Sequence, residues 1–241
     1  QRKLMNAKVL VIGAGGLGSP LLLYLAAAGL GTIGIIDDDK VELSNLQRQI
    51  IHKTNKIGAH KTDSAKETIL SINPNINIIT YKERFSISNA EKIISKYDIV
   101  ADGSDNFGTR FLANDVCFLS KTTLVSAAIL RFEGQISTYT AYKDSNCCYR
   151  CLWPEPPPKG LIASCGEAGV FGALAGSIGS IQAIEVLKEI LGIGKSLNNF
   201  LLIFDTLSSE MRKIKINKDN NCQLCGTKPT ITSIKKHKDY L

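Results

Sequence analysis

The chain has 241 residues, enough to bury a full core either as one large α/β domain or as a domain with an appendage. With 44% hydrophobic and 21% charged residues the composition is that of a soluble protein, and the net charge of +7 points to an anionic partner such as a nucleotide or an acidic protein surface. The basic residues are scattered, with one short cluster (Lys235, Lys236, Lys238) and no aromatic-studded basic repeat, which argues against a nucleic-acid groove.

Lys8–Ile12 is a β-branched run leading directly into glycines, the first predicted strand. Ser19 is the expected N-cap of the next helix, with Pro20 at its first position and Leu21–Ala28 continuing it up to Gly29. Thr32–Ile36 is a second strand. No charge falls between Val9 and Ile36, but Gly13, Gly15, Gly16, Gly18 and Pro20 break the run, so it reads as a buried strand–turn–helix–strand and not a membrane span. Lys61–Ser71 is helical and closes at Asn73-Pro74. Asn77–Tyr81 reads as a strand, Asn89–Lys96 as a helix, Ile99–Asp102 as a strand and Asn106–Ser120 as a helix. Thr123–Ala128 and Gln135–Thr140 follow as strands, the second of antiparallel character. After Tyr142 comes a Cys- and Pro-rich stretch without periodicity. A long helix (Ala168–Leu191), two strands (Phe200–Phe204 and Met211–Ile216) and a polar tail complete the chain. The apolar part of that helix, Val170 to Ile184, is too short to span a membrane and contains Gln182. The alternation predicts a Rossmann-like α/β fold, a mostly parallel sheet with helices on both faces, extended by antiparallel strands. Within one domain, residues 1–140 form the expected nucleotide-binding part, 141–228 a second part and 229–241 a tail. The chain opens on Gln1, so a preceding segment is expected. No signal peptide is visible, which points to a reducing compartment, the cytoplasm or, from the abundance of Ile, Asn and Lys, a plastid stroma.

Gly13-Ala14-Gly15-Gly16-Leu17-Gly18 joins a strand to a helix, where backbone N–H groups can meet a phosphate. Asp37, at the end of the second strand, is placed to accept hydrogen bonds from a ribose. A dinucleotide dehydrogenase would need only these. Ser44-Asn45-Leu46-Gln47-Arg48-Gln49 is too polar for a core strand, and Arg48 and Lys61 add two cations near the phosphates. Asp105-Asn106 follows the fourth strand at the ligand edge of the sheet, where a carboxylate can hold Mg²⁺ or Asp105 can cap the next helix. Together they fit a triphosphate and metal better than a nicotinamide.

Of seven cysteines, Cys148 and Cys151 form one C-x-x-C hook and Cys222 and Cys225 another, a donor set suited to a closed, structural zinc site contributing on the order of 10 kcal/mol. Disulfides are disfavoured by the odd total and the absent secretion signal. Cys147 competes with Cys148 as ligand but lacks the hook spacing, and Cys117 reads as a buried small hydrophobe. Cys165, ahead of the long helix, is a candidate nucleophile whose thiolate a helix N-terminus would stabilise.

In combination these motifs make the chain resemble the adenylating enzymes related to ubiquitin-activating enzymes. Molybdopterin-synthase adenylyltransferases and carrier-activating sulfurtransferases are the branch it is most similar to. The resemblance rests on Gly13–Gly18, Ser44–Gln49, Asp105-Asn106, the Cys148-Tyr149-Arg150-Cys151 hook, Ser164–Gly169 and the Cys222/Cys225 hook. It implies that ATP and Mg²⁺ activate the terminal carboxylate of a ubiquitin-like sulfur carrier protein ending in Gly-Gly. Gly16 would approach the phosphates, Asp37 the ribose, and Asn45, Arg48 and Lys61 would stabilise the transferring phosphate. Asp105 would hold Mg²⁺ beside Asn106, and Cys165 matches a position that links covalently to the carrier in some relatives. A homodimer, with an Arg from an upstream segment reaching the partner's ATP site, and a separate sulfur donor are also implied. Trp153-Pro154 is reminiscent of the thiamine-pathway branch. A nicotinamide-dependent oxidoreductase or a non-catalytic scaffold for a ubiquitin-like partner would leave Arg48, Lys61 and Asp105 without a task.

Overall fold

The β-branched runs at the centre of the sheet become strands covered on both faces, while the edge strands stay partly or wholly exposed. In the computed structural model, which describes residues 1–143, 145–158 and 169–236, five strands pair in parallel. They are β1 (Lys8–Ile12), β2 (Thr32–Ile36), β3 (Asn77–Tyr81), β4 (Ile99–Asp102) and β5 (Thr123–Leu130). Then β6 (Glu133–Tyr139), β7 (Phe200–Asp205) and β8 (Glu210–Lys215) add on as antiparallel neighbours, so the sheet has eight strands in the order β3-β2-β1-β4-β5-β6-β7-β8. The order reverses around β1 and β4, and ligands in open α/β sheets bind at the carboxyl ends of strands at such a switch.

The two-residue side-chain period of β1 divides the interior. Val9 and Val11 enter one core with Leu21 and Leu25 of α2 (Gly18–Ala27), Ile69 of α3 (Lys61–Ile72) and Ile178 and Val186 of the long helix Gly172–Leu191. Leu10 and Ile12 enter the other, with Ile93 of α4 (Ala90–Ile94) and Phe111 and Val116 of α5 (Phe107–Leu119). A third cluster holds the C-terminal segment down, through Leu224 and Ile231 packed with Ala141 and four cysteines.

Several expectations shift. Ser19 is not the N-cap: α2 starts at Gly18, and the Ser19 hydroxyl donates back to the Gly15 carbonyl at 2.6 Å because the glycine turn feeds the helix without a capping residue. The long helix starts at Gly172, not Ala168, and ends at Gly192 in the left-handed region (φ 68°). Residues 163–168 lie outside the described chain. Two short helices were not foreseen, α1 (Arg2–Asn6) and α6 (Tyr149–Leu152), so the long helix is α7. Among the described residues no helix is long and apolar enough to cross a membrane.

The four residues of α6 are held by tertiary contacts. Arg150 is buried and bonds the Asp115 carboxylate of α5 through Nε (2.9 Å) and Nη2 (2.7 Å), its guanidinium lies 4.7 Å from the Phe111 ring, and the Tyr149 amide donates to Asn114 Oδ1 at 2.9 Å. Removing one partner takes away the buried charge that balances the other. Asp115→Ala is therefore expected to cost about 3–5 kcal/mol, measured as the shift of the urea midpoint of metal-saturated protein.

Candidate nucleotide and metal sites

At the end of β1 the chain turns sharply. Gly13 has φ +92°, and a Cβ at Gly18 would lie 2.0 Å from the Gly13 carbonyl oxygen, so the first turn of α2 packs directly on the loop backbone. Asp37, at the tip of β2, accepts from the Ala14 amide (2.8 Å) and the Asp39 amide (2.9 Å). Burial pushes its carboxyl up, while Lys61 and these two amides oppose the shift. On the other side of the loop, His52 Nε2 lies 2.9 Å from the Ala14 carbonyl and Nδ1 2.9 Å from Ser64 Oγ. A carbonyl can only accept, so the proton is assigned to Nε2 and the Ser64 hydroxyl donates to Nδ1. Burial pushes the His52 pKa down.

Lys61, the first residue of α3, is buried yet reaches the exposed Asp39 carboxylate at 2.7 Å. Arg48 follows a 3-10 turn at Leu43–Asn45, whose buried Asn45 carbonyl accepts from the amides of Arg48 (3.1 Å) and Gln49 (2.9 Å). The Arg48 stem runs past Gly16, where an added Cβ would sit 3.4 Å from Arg48 Cγ. Together Gly13, Gly15, Gly16, Asp37, Arg48, Lys61, Asp105 and Asn106 line one cleft of about 390 Å³. Ser44, Asn45, Leu46 and Gln47 do not line it. They build the turn that presents Arg48, and the Gln47 carbonyl backs onto Gly172 of α7. Gly18 lies beneath the loop and off the cleft wall. Asp105 is not a cap: Asn106 caps α5 by accepting from the Thr109 amide at 2.8 Å.

Gln49 and Ser104 fall in stretches read as polar but were given no role, and Arg84 was not singled out. Gln49 Oε1 and Ser104 Oγ are buried on the wall with no hydrogen-bond partner among the described residues, and Arg84 adds a third cation. Two orphaned polar atoms beside loop amides and cations suit a polar ligand such as a nucleotide. Arg84 had a usable signal, since it follows β3 at the ligand edge of the sheet. Gln49 closes the same polar stretch as Arg48.

A second, largely apolar groove of about 720 Å³ meets the cleft at Asp105 and Ile129. Phe111, Ile136, Tyr139 and Trp153 line it, and Arg110 and Tyr149 stand at its buried end. Burial pushes the Tyr149 phenol up, partly countered by the Arg110 guanidinium against its hydroxyl.

The two cysteine hooks come together as the sequence predicts. Cys148 Sγ lies 3.5 Å from Cys222 Sγ and 4.0 Å from Cys151 Sγ, Cys151 Sγ lies 3.3 Å from Cys225 Sγ, and all four are within 4.8 Å of one another. Zn–S bonds of about 2.3 Å in a tetrahedron place sulfurs about 3.8 Å apart, so the donor set fits structural zinc. Cys147 stays out of the cluster: its amide donates to Asn199 Oδ1 at 2.7 Å, and burial pushes its thiol up to about 11. Cys117 is buried in the α5 core, as expected, and Cys165 lies outside the described residues.

The profile of the ThiF family matches residues 1–225. The chain belongs to the ThiF family. The sulfur carrier protein adenylyltransferase of Thermus thermophilus is 44% identical over 233 residues, covering 95% of this ThiF-family chain and 86% of that protein. The adenylyltransferase and sulfurtransferase MOCS3 of Drosophila virilis is 45% identical over 97% of the chain, and the probable adenylyltransferase/sulfurtransferase MoeZ of Mycobacterium tuberculosis 48% identical over 91%. The chain spans 52% and 56% of those two proteins, about half their length. A crystal structure of E. coli MccB with ATP shares the fold, with a TM-score of 0.79 at 22% identity over 93% of this chain and 68% of that one. The chain is an enzyme of the adenylyltransferase class.

Two outcomes follow from the geometry. Because folding favours neutral His52, protonation favours the unfolded chain, so this contribution is lost as pH falls through the ordinary histidine value of 6.5. Between about pH 7.5 and 5.5 the melting temperature of the wild type should fall more than that of His52→Asn. Elemental analysis should find about one zinc per chain, and Cys222→Ser should lose it together with several kcal/mol of stability.

Proposed function

We propose that the chain adenylylates the C-terminal glycine carboxylate of a ubiquitin-like sulfur carrier protein ending in Gly-Gly. The observation that carries this is the junction at Asp105 and Ile129, where a polar cleft with cations opens into an apolar groove. ATP takes the cleft, with its phosphates against the Gly13–Gly16 loop and the N-terminus of α2 and its ribose on Asp37. The carrier's tail takes the groove and brings its carboxylate to the junction. Around the groove mouth Leu130, Phe132, Phe171 and Leu207 are exposed apolar side chains, Phe132 and Phe171 packed edge-on at 4.7 Å, a surface suited to a folded protein partner.

One carboxylate oxygen bonds to the α-phosphorus as the bond to the bridging oxygen of pyrophosphate breaks. The acyl-adenylate stays on the carrier, pyrophosphate leaves, and no proton transfer is required. Arg48 and Lys61 stabilise the charge that gathers on the phosphoryl oxygens, with Asn45 holding the Arg48 turn. Asp105, beside Asn106, would hold Mg²⁺, which would help neutralise the triphosphate. Zinc on Cys148, Cys151, Cys222 and Cys225 is structural. In this scheme the chain is one unit, with residues 1–140 binding nucleotide, 141–228 meeting the carrier and 229–241 forming a tail. It works as a homodimer in the cytoplasm or a plastid stroma, with sulfur delivered by a separate donor. Cys165 is the candidate for a covalent link to the carrier.

The relatives named MOCS3 and MoeZ favour a carrier of molybdenum cofactor synthesis over the thiamine-pathway carrier, for which Trp153-Pro154 is the one sequence hint. A nicotinamide oxidoreductase would leave the cations and Asp105 idle. ATP–pyrophosphate exchange should depend on a Gly-Gly carrier, and Arg48→Ala should lower it roughly 10²–10³-fold with zinc retained. Wild-type exchange in that variant, or none with any carrier, would exclude the scheme.

A further inference from the structure

Asp105 stands on a turn whose preceding residue is gripped from both sides. The Ser104 amide donates to Asp102 Oδ1 at 3.0 Å, and the Ser104 carbonyl accepts from Arg110 Nη2 at 2.8 Å. The residue after Asp105 is fixed as well, as the cap of α5. Arg110 and Asp102 are both buried and form an ion pair at 3.5 Å on Asp102 Oδ2, the same oxygen that accepts from the Ser126 hydroxyl at 2.8 Å. A buried ion pair adds little stability over a well-packed apolar pair, so its value is sought in what it orients. Here it orients the turn between the cleft and the groove.

The same arginine touches the metal clip. The Tyr149 hydroxyl lies against the Arg110 guanidinium, and Tyr149 stands between Cys148 and Cys151. α6 is locked to α5 by Arg150 on Asp115, by the Tyr149 amide on Asn114 and by the edge-on contact of Tyr149 with Phe111 at 5.1 Å. Contacts therefore run without a break from the four sulfurs through α6 and residues 110–115 of α5 to buried Ser104, the residue before Asp105.

We propose that Arg110 is a positioning residue for the adenylyl transfer, holding Asp105 at the junction and coupling its placement to the closure of the four-cysteine clip. The proposal rests on the Mg²⁺ role given to Asp105 above. Lysine at this position keeps a charge for Asp102 but lacks the planar fork that bonds the Ser104 carbonyl at the same time.

The test is Arg110→Lys, with Arg110→Gln as a second variant should lysine misfold. It compares zinc content, the Mg²⁺ dependence of carrier-dependent ATP–pyrophosphate exchange, and hydrogen exchange of the amides of residues 103–106. Zinc content should be unchanged, the Mg²⁺ concentration for half-maximal rate should rise roughly tenfold, as loss of one charged hydrogen bond implies, and those amides should exchange faster. In the wild type, removing zinc with a chelator should speed the same amides, and in Arg110→Lys it should add little. Wild-type Mg²⁺ dependence and amide protection in a folded Arg110 variant would overturn the positioning role. Unchanged protection on zinc removal would overturn the coupling. Should no carrier support exchange even in the wild type, the adenylylation scheme fails by itself, and the amide measurements still decide whether Arg110 holds the turn.

Discussion

The contact on which the rest of this molecule depends is that of one backbone on another, where the first turn of α2 sits on the carbonyl of Gly13 with no room for a side chain. That approach aims the N-terminus of α2 into the space at the carboxyl ends of β1 and β4. It also brings the loop near enough for Asp37 to hold the Ala14 amide and His52 the Ala14 carbonyl. With the loop pinned on both sides, Arg48 can run along Gly16 and Lys61 can stay buried beside it. Each cation is oriented by a neighbour that is itself held. α7 completes the floor, since buried Gln182 donates to the carbonyls of Asp102 and Val125 at 2.8 and 3.0 Å and ties the helix to the strands beneath the junction.

What the sequence made legible divides along a physical line. β1 to β4 were read with their ends correct, because each is a short run bounded by a change of composition, covered on both faces in β1, β2 and β4 and half exposed in the edge strand β3. The glycine loop with Asp37 is likewise a local unit, and the cysteine hooks carry their pairing in their spacing. Features made by contacts between distant segments stayed hidden. α6 has four residues and no period, and it exists because Asp115 receives Arg150. Ser19 looked like a cap, yet the preceding glycine turn had already made the first helical bond. His52 and Arg110 carry no motif that announces them. Their importance lies in Ala14 and Ser104, which the fold brings to them from elsewhere in the chain.

The cleft and the groove also differ in kind. One wall set is polar and holds buried atoms with no partner among the described residues, the other is apolar with a polar end at Arg110 and Tyr149. A substrate that reacts where they meet must itself be divided, with a highly charged part and an extended, mostly neutral part. Such a division favours joining a nucleotide to a polypeptide terminus over chemistry within one small molecule.

The metal clip joins position 148 to position 225, so the segment it encloses contains α7, β7 and β8. During synthesis the parallel strands and the nucleotide loop leave the ribosome long before Cys222 and Cys225. The first hook must therefore wait, reduced and unfilled, until almost the entire sheet has been made. Metal capture by the four sulfurs would then come late in assembly, after the nucleotide loop has been made.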